Sequence, residues 1–137
     1  MGALIISILG LISVLILNIV VGLFLGFGKG HYWFFELMHF LGGFFVAMFF
    51  ANFTSSIVMI FSALAIVTFL WELGEYILDK IPTASRFFKK TFRTDSTKYD
   101  FKDAILDIVL NFAGATAFLY LRGLFSIKLV KPLTGFL

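Results

Sequence analysis

The chain reads as an all-α protein, a polytopic transmembrane four-helix bundle, and three observations carry that reading. Of its 137 residues 61% are hydrophobic, and the mean hydropathy is +1.03, well above the roughly half-apolar composition of soluble domains. Four apolar stretches are each long enough to cross a hydrocarbon layer, which takes about 20 helical residues. The charged residues gather between positions 80 and 103 instead of covering a solvated surface, so 1–137 is expected to be a single transmembrane domain.

The first span covers 3–26, with only Ser7, Ser13 and Asn18 as polar interruptions. It is longer than the apolar core of a signal peptide and lacks the basic start, so it is expected to stay in the membrane. Gly26, Gly28 and Gly30 around Lys29 mark a turn into the second span, 33–50. A short polar turn at 52–56 leads to the third, 57–78, its antiparallel neighbour. Residues 79–100 form a basic interfacial loop. Within it, 84–93 interleaves Arg86, Lys89, Lys90 and Arg93 with Phe87, Phe88 and Phe92, the pattern of a short helix lying on a membrane surface. The fourth span covers 101–121, with Asp100 or Thr97 as its N-cap.

Composition removes several function classes. The chain has no cysteine, which excludes thiolate metal sites, disulfides and thiol catalysis within it. The net charge of +3 resides mostly in loops beside spans, which points to the lipid bilayer and its anionic phospholipid headgroups as partners, held by Arg86, Lys89, Lys90 and Arg93. No nucleic-acid motif is present. Four crossings put the 26–32 and 79–100 loops on one side with Lys29, Lys80, Arg86, Lys89, Lys90, Arg93, Lys98 and the flanking Lys102, and leave Arg122, Lys128 and Lys131 on the other. The positive-inside bias then predicts a cytoplasmic (inner) membrane location with both basic loops in the cytoplasm and both termini outside.

Function is most legible in the polar residues that interrupt the spans: Glu36 and His39, Glu72 and Glu75, and Asp103, Asp107 and Asn111. Each charge placed in hydrocarbon costs roughly 2.5–3.5 kcal/mol on insertion scales. Steps of three or four residues return to one helix face, so span two presents Glu36, His39, Gly43 and Ala47 as a stripe. Span three presents Glu72, Glu75 and Asp79, and span four presents Asp100, Asp103, Asp107, Asn111 and Gly114. At about 1.5 Å per residue, Glu36, His39, Glu72, Glu75 and Asp107 all fall roughly 5–9 Å inside the cytoplasmic ends of their helices. Small residues beside the stripes, Gly42, Gly43, Gly114 and Ala117, permit close helix approach. Three helices can therefore contribute to one pocket.

That layer sets five carboxylates against one imidazole, with no lysine or arginine at the same depth. Crowded carboxylates in a low dielectric need protons, a metal or a cationic ligand. Carboxylates with one imidazole suit a divalent metal ion such as magnesium, manganese, calcium, iron or zinc. The candidate metal- or proton-binding residues are therefore Glu36, His39, Glu72, Glu75, Asp103 and Asp107, supported by Asn111 and Trp71. Plainer roles compete: Asp103 in a first turn also serves the helix dipole, and Asn111 also serves as interhelical glue.

The spacing of Asp103, Asp107, Asn111, Gly114 and Ala115 resembles the Asp-x-x-x-Asn-x-x-Gly-Ala signature of VanZ-like membrane proteins and the doubled-Asp version in YjdF-like bacterial inner-membrane proteins. His39 with Phe40, and Trp71 with Glu72 and Glu75, resemble the His-Phe and Trp-Glu-x-x-Glu elements of the same group. Glu36 precedes His39 by three positions, where VanZ-like proteins tend to carry an acid four before. The resemblance covers about 33–118 and implies a small helical bundle with a shared polar site, but no particular reaction. Three function classes follow from the residues: a metal site that acts on a lipid or lipid-linked phosphate, a proton- or cation-coupled transporter or channel, and a non-catalytic membrane interaction protein.

Overall fold

A computed structural model describes residues 1–92 and 100–130, with side chains for all of these except Lys29 and 124–130. Among the described residues there are four helical stretches long and apolar enough to cross a membrane: Gly2–Phe24, Trp33–Phe50, Ile57–Lys80 and Phe101–Gly123. Side chains that protein does not cover, such as Ile5, Leu9, Val58, Phe69 and Val109, face lipid in this reading, as the absence of an aqueous driving force inside a bilayer allows.

The first crossing begins as α1 (Gly2–Ile16) and continues as a π-helical stretch, Leu17–Phe24. In this wider form the backbone hydrogen bonds reach back five residues, as Leu25 N–H does to the Val20 carbonyl at 2.8 Å. Gly26 ends the crossing with φ 73°, a left-handed conformation that glycine adopts without the Cβ penalty. One helical turn, α2 (Phe27–Gly30), then leads into α3 (Trp33–Phe50).

Side-chain caps define the next boundaries. The Asn52 amide donates to the Met48 and Phe49 carbonyls at 2.8 and 3.2 Å, closing α3. Ser56 opens α4 (Ile57–Lys80) by accepting from Met59 N–H at 3.4 Å, as N-cap serines do. Ile81 adopts an extended conformation, φ −92° and ψ 109°, because it precedes Pro82. Pro82 in turn occupies the first position of α5 (Pro82–Phe92), where no N–H is needed. The final helix, α6 (Phe101–Val130), is capped by Asp100, whose Oδ1 accepts from Lys102 N–H at 2.9 Å. It runs beyond the 101–121 expected for the fourth span. Thr97, the other cap expected from the sequence, lies outside the described residues.

Packing follows glycine. The most extensive helix pair is α3 with α6, where a Cβ on Gly43 would collide with the Asn111 backbone and one on Gly114 with the Phe40 carbonyl. Two backbones thus touch reciprocally, the arrangement that small residues permit in membranes. The same logic seats the first crossing on α3, with Phe45 against Gly10 and Phe35 against Gly22. An apolar cluster of Val46, Ala47, Ile60, Leu64 and Ala115 joins α3, α4 and α6 away from the acidic end.

Candidate metal centre

The close α3–α6 crossing places His39 against Asp107, with Nε2 3.5 Å from Oδ2. Glu72 approaches from α4. One ligand atom from each of His39, Glu72 and Asp107 lies within 4.8 Å of the others. Glu72 and Asp107 are almost fully covered, at 6% and 7% exposure.

Two hydroxyls in the spans are satisfied by their own helices. Ser7 donates to the Leu4 carbonyl and Thr116 to the Phe112 carbonyl, both at 2.8 Å. Glu72 is different, because neither of its buried carboxylate oxygens has a hydrogen-bond partner among the described residues. A buried polar group without a partner is expensive, and a buried carboxylate is unstable in that setting unless a proton or a cation joins it.

Asn111 determines how His39 is presented. Its Nδ2 donates to the Asp107 carbonyl at 2.9 Å, and only an amide nitrogen can serve there, since a carbonyl donates nothing. The same nitrogen lies 3.3 Å from His39 Nδ1, so Nδ1 accepts and the ring hydrogen sits on Nε2, toward Asp107. For His39 to coordinate an ion through Nε2, that hydrogen must move to Nδ1. The Asn111 amide then gives up its contact with Nδ1 and keeps its bond to the Asp107 carbonyl.

Two cavities meet at this group. The larger, about 630 Å³, is bordered by Glu36, His39, Glu75, Asp103 and Asp107 together with Tyr32, Phe35, Trp71, Phe88 and Phe92. The smaller, about 250 Å³, runs toward Leu11, Val46 and Leu64 and is also bordered by Asn111. Asn18, His39 and Trp71 border both. Trp71 stands edge-on to His39, ring centroids 6.5 Å apart, and its Nε1 donates to Glu75 Oε1 at 2.8 Å.

The five acids and one imidazole expected from the sequence therefore divide. His39, Glu72 and Asp107 form a compact triad, while Glu36, Glu75 and Asp103 border the larger cavity outside it. Trp71 and Asn111 contact these residues directly. Of the residues expected to hold headgroups, Arg86, Lys89 and Lys90 lie on α5, none of them borders the cavity, and Arg93 lies outside the described residues. Sequence reasoning missed Asn18, whose only signal was a lone amide in the most apolar span. The second histidine, His31, stacks on Phe27 at 4.3 Å in the connecting turn.

The triad can take a divalent ion. Three atoms no more than 4.8 Å apart share a centre within about 2.8 Å of each, against ~2.3–2.6 Å for calcium–oxygen and ~2.0–2.2 Å for zinc bonds. Small side-chain shifts close that gap. Two carboxylates also neutralise a double positive charge, so the filled site carries no net charge into a low-dielectric layer.

Comparison of the chain with protein-family models, with curated proteins and with solved structures finds no match.

Proposed function

We propose that this multi-pass membrane protein binds a divalent cation inside the bilayer through His39, Glu72 and Asp107. The observation that carries the reading is the Glu72 carboxylate, buried without a hydrogen-bond partner and facing an imidazole and a second carboxylate. Glu36, Glu75 and Asp103 border the approach to the ion and raise the local concentration of cations. Kinship with the VanZ-like and YjdF-like proteins is part of the proposal, resting on motif spacing alone. The reading also places the end of the bundle that carries α5 in the cytoplasm and lays Arg86, Lys89 and Lys90 on anionic headgroups. A lipid-linked phosphate as substrate gains no support from the cavity, whose described lining contains four acidic side chains and no lysine or arginine.

The test is metal analysis and manganese(II) titration of detergent-purified protein. One ion per chain is expected, with Glu72→Gln and His39→Ala each weakening binding about tenfold or more. Asp79→Asn serves as the control, since Asp79 pairs with Lys80 at 3.3 Å on the rim. Equal affinity in Glu72→Gln and the parent chain would overturn the assignment.

Cation-coupled transport is the second reading, favoured by the position of His39, Trp71 and Asn18 between two cavities. Proteoliposomes loaded with a manganese-sensitive dye separate the two readings: transport requires flux that Glu72→Gln abolishes, and binding alone requires none.

A further inference from the structure

The larger cavity, at about 630 Å³, is of the size that holds drug-sized ligands, roughly 300–1,000 Å³, and exceeds what an inorganic ion needs. Its walls combine two chemistries. With Glu72 and Asp107 matched to a divalent ion, Glu36, Glu75 and Asp103 still border it from three different helices, and no lysine or arginine among the described residues does. The remaining surface is mainly aromatic and aliphatic. Trp71 and Glu75 act there as a unit, because the indole N–H donates to the carboxylate at 2.8 Å. From α5, Phe88 and Phe92 turn toward the cavity, while Arg86 and Lys90 are exposed.

Candidate occupants can be ranked by what these walls satisfy. A second inorganic ion needs oxygen ligands on all sides, and ring edges and alkyl carbons supply none. A phosphate is repelled by three carboxylates. A lipid tail suits the apolar walls and leaves the carboxylates uncompensated. An organic cation with an apolar body satisfies both, setting its charge against the carboxylates and its body against the rings, with cation–π attraction to Trp71. From this complementarity we infer that the cavity is a binding site for an amphipathic organic cation. The inference rests on the ion-site reading only in assigning Glu72 and Asp107 to the metal.

Tetraphenylphosphonium and tetraphenylborate test it, because they match in shape and oppose in charge. In equilibrium dialysis of nanodisc-embedded protein, saturable binding of tetraphenylphosphonium is expected. It should weaken about tenfold or more in the Glu36→Gln/Asp103→Asn double variant, as loss of a nearby opposite charge requires. Tetraphenylborate should show only the linear uptake of empty nanodiscs. Glu72→Gln, which disables the ion site and leaves the cavity lining intact, should bind tetraphenylphosphonium as the parent does. Saturation by both probes makes the cavity a generic apolar pocket and overturns the inference, as does indifference to the double variant. Manganese binding without tetraphenylphosphonium saturation defeats this inference alone, and the reverse outcome defeats the ion site alone.

Discussion

At the scale of single residues, Asn111 decides which chemistry His39 can perform. With its amide nitrogen shared between the Asp107 carbonyl and His39 Nδ1, it holds the imidazole with its hydrogen on Nε2, 3.5 Å from Asp107 Oδ2, a form that cannot ligate metal through that nitrogen. Moving the ring hydrogen to Nδ1 frees the Nε2 lone pair and breaks the Asn111 contact, so ion binding and this hydrogen bond oppose each other. Asn111→Ala releases the imidazole from that form and is therefore expected to strengthen manganese binding, by about threefold or more. Titration calorimetry on the purified variant checks it, and unchanged affinity would assign Asn111 to packing alone. The sequence named all three triad residues, because ionisable groups stand out against an apolar background. It did not separate Glu72 from Glu75: both share a helix stripe, and only the packed bundle shows that Glu75 is held by Trp71 while Glu72 is left unpartnered.

At the scale of elements, the site depends on how closely α3 and α6 approach. Gly43 and Gly114 lie one above the other across this crossing, and a Cβ on either would collide with main-chain atoms of the partner helix. Main chain gives way less readily than a flexible side chain, so Gly43→Ala and Gly114→Ala should each force the helices apart. Overpacking of this kind costs about 1–3 kcal/mol, and the added separation draws His39 away from Asp107. Both variants are expected to lower the thermal unfolding temperature in detergent and to weaken manganese binding. Gly123→Ala, where a Cβ meets nothing within 4 Å, should change neither. A loss of stability as large in Gly123→Ala would sink the argument. The spans and the cap at Asp100 were legible from apolar run lengths and capping chemistry. The π-helical stretch at Leu17–Phe24 was not, since its residues are as apolar as the rest of the span and periodicity alone does not distinguish a helix bonded to i−5 from one bonded to i−4.

For the molecule as a whole, the ion site and the larger cavity lie toward one end, where α3 and α6 begin and α4 ends, so the side of the membrane that this end faces decides where a cation comes from. Composition and hydropathy made four crossings legible, while orientation rests on an excess of lysine and arginine in the loops at that end. Absence of cysteine from the chain makes the question directly measurable, because every introduced thiol is a unique probe. Ala3 is exposed in the first turn of α1, Phe53 lies in the exposed turn between α3 and α4, and Lys90 is exposed on α5. Four antiparallel crossings require Ala3→Cys and Phe53→Cys to report the same side and Lys90→Cys the other. With the basic end in the cytoplasm, a membrane-impermeant maleimide applied to intact cells should label the first two and reach Lys90→Cys only after the membrane is opened. Labelling of Ala3→Cys and Lys90→Cys from the same side would mean that one of the intervening helices does not cross. A fully reversed pattern would keep the bundle and turn its acidic cavity outward, so that the cations it collects would be those outside the cell.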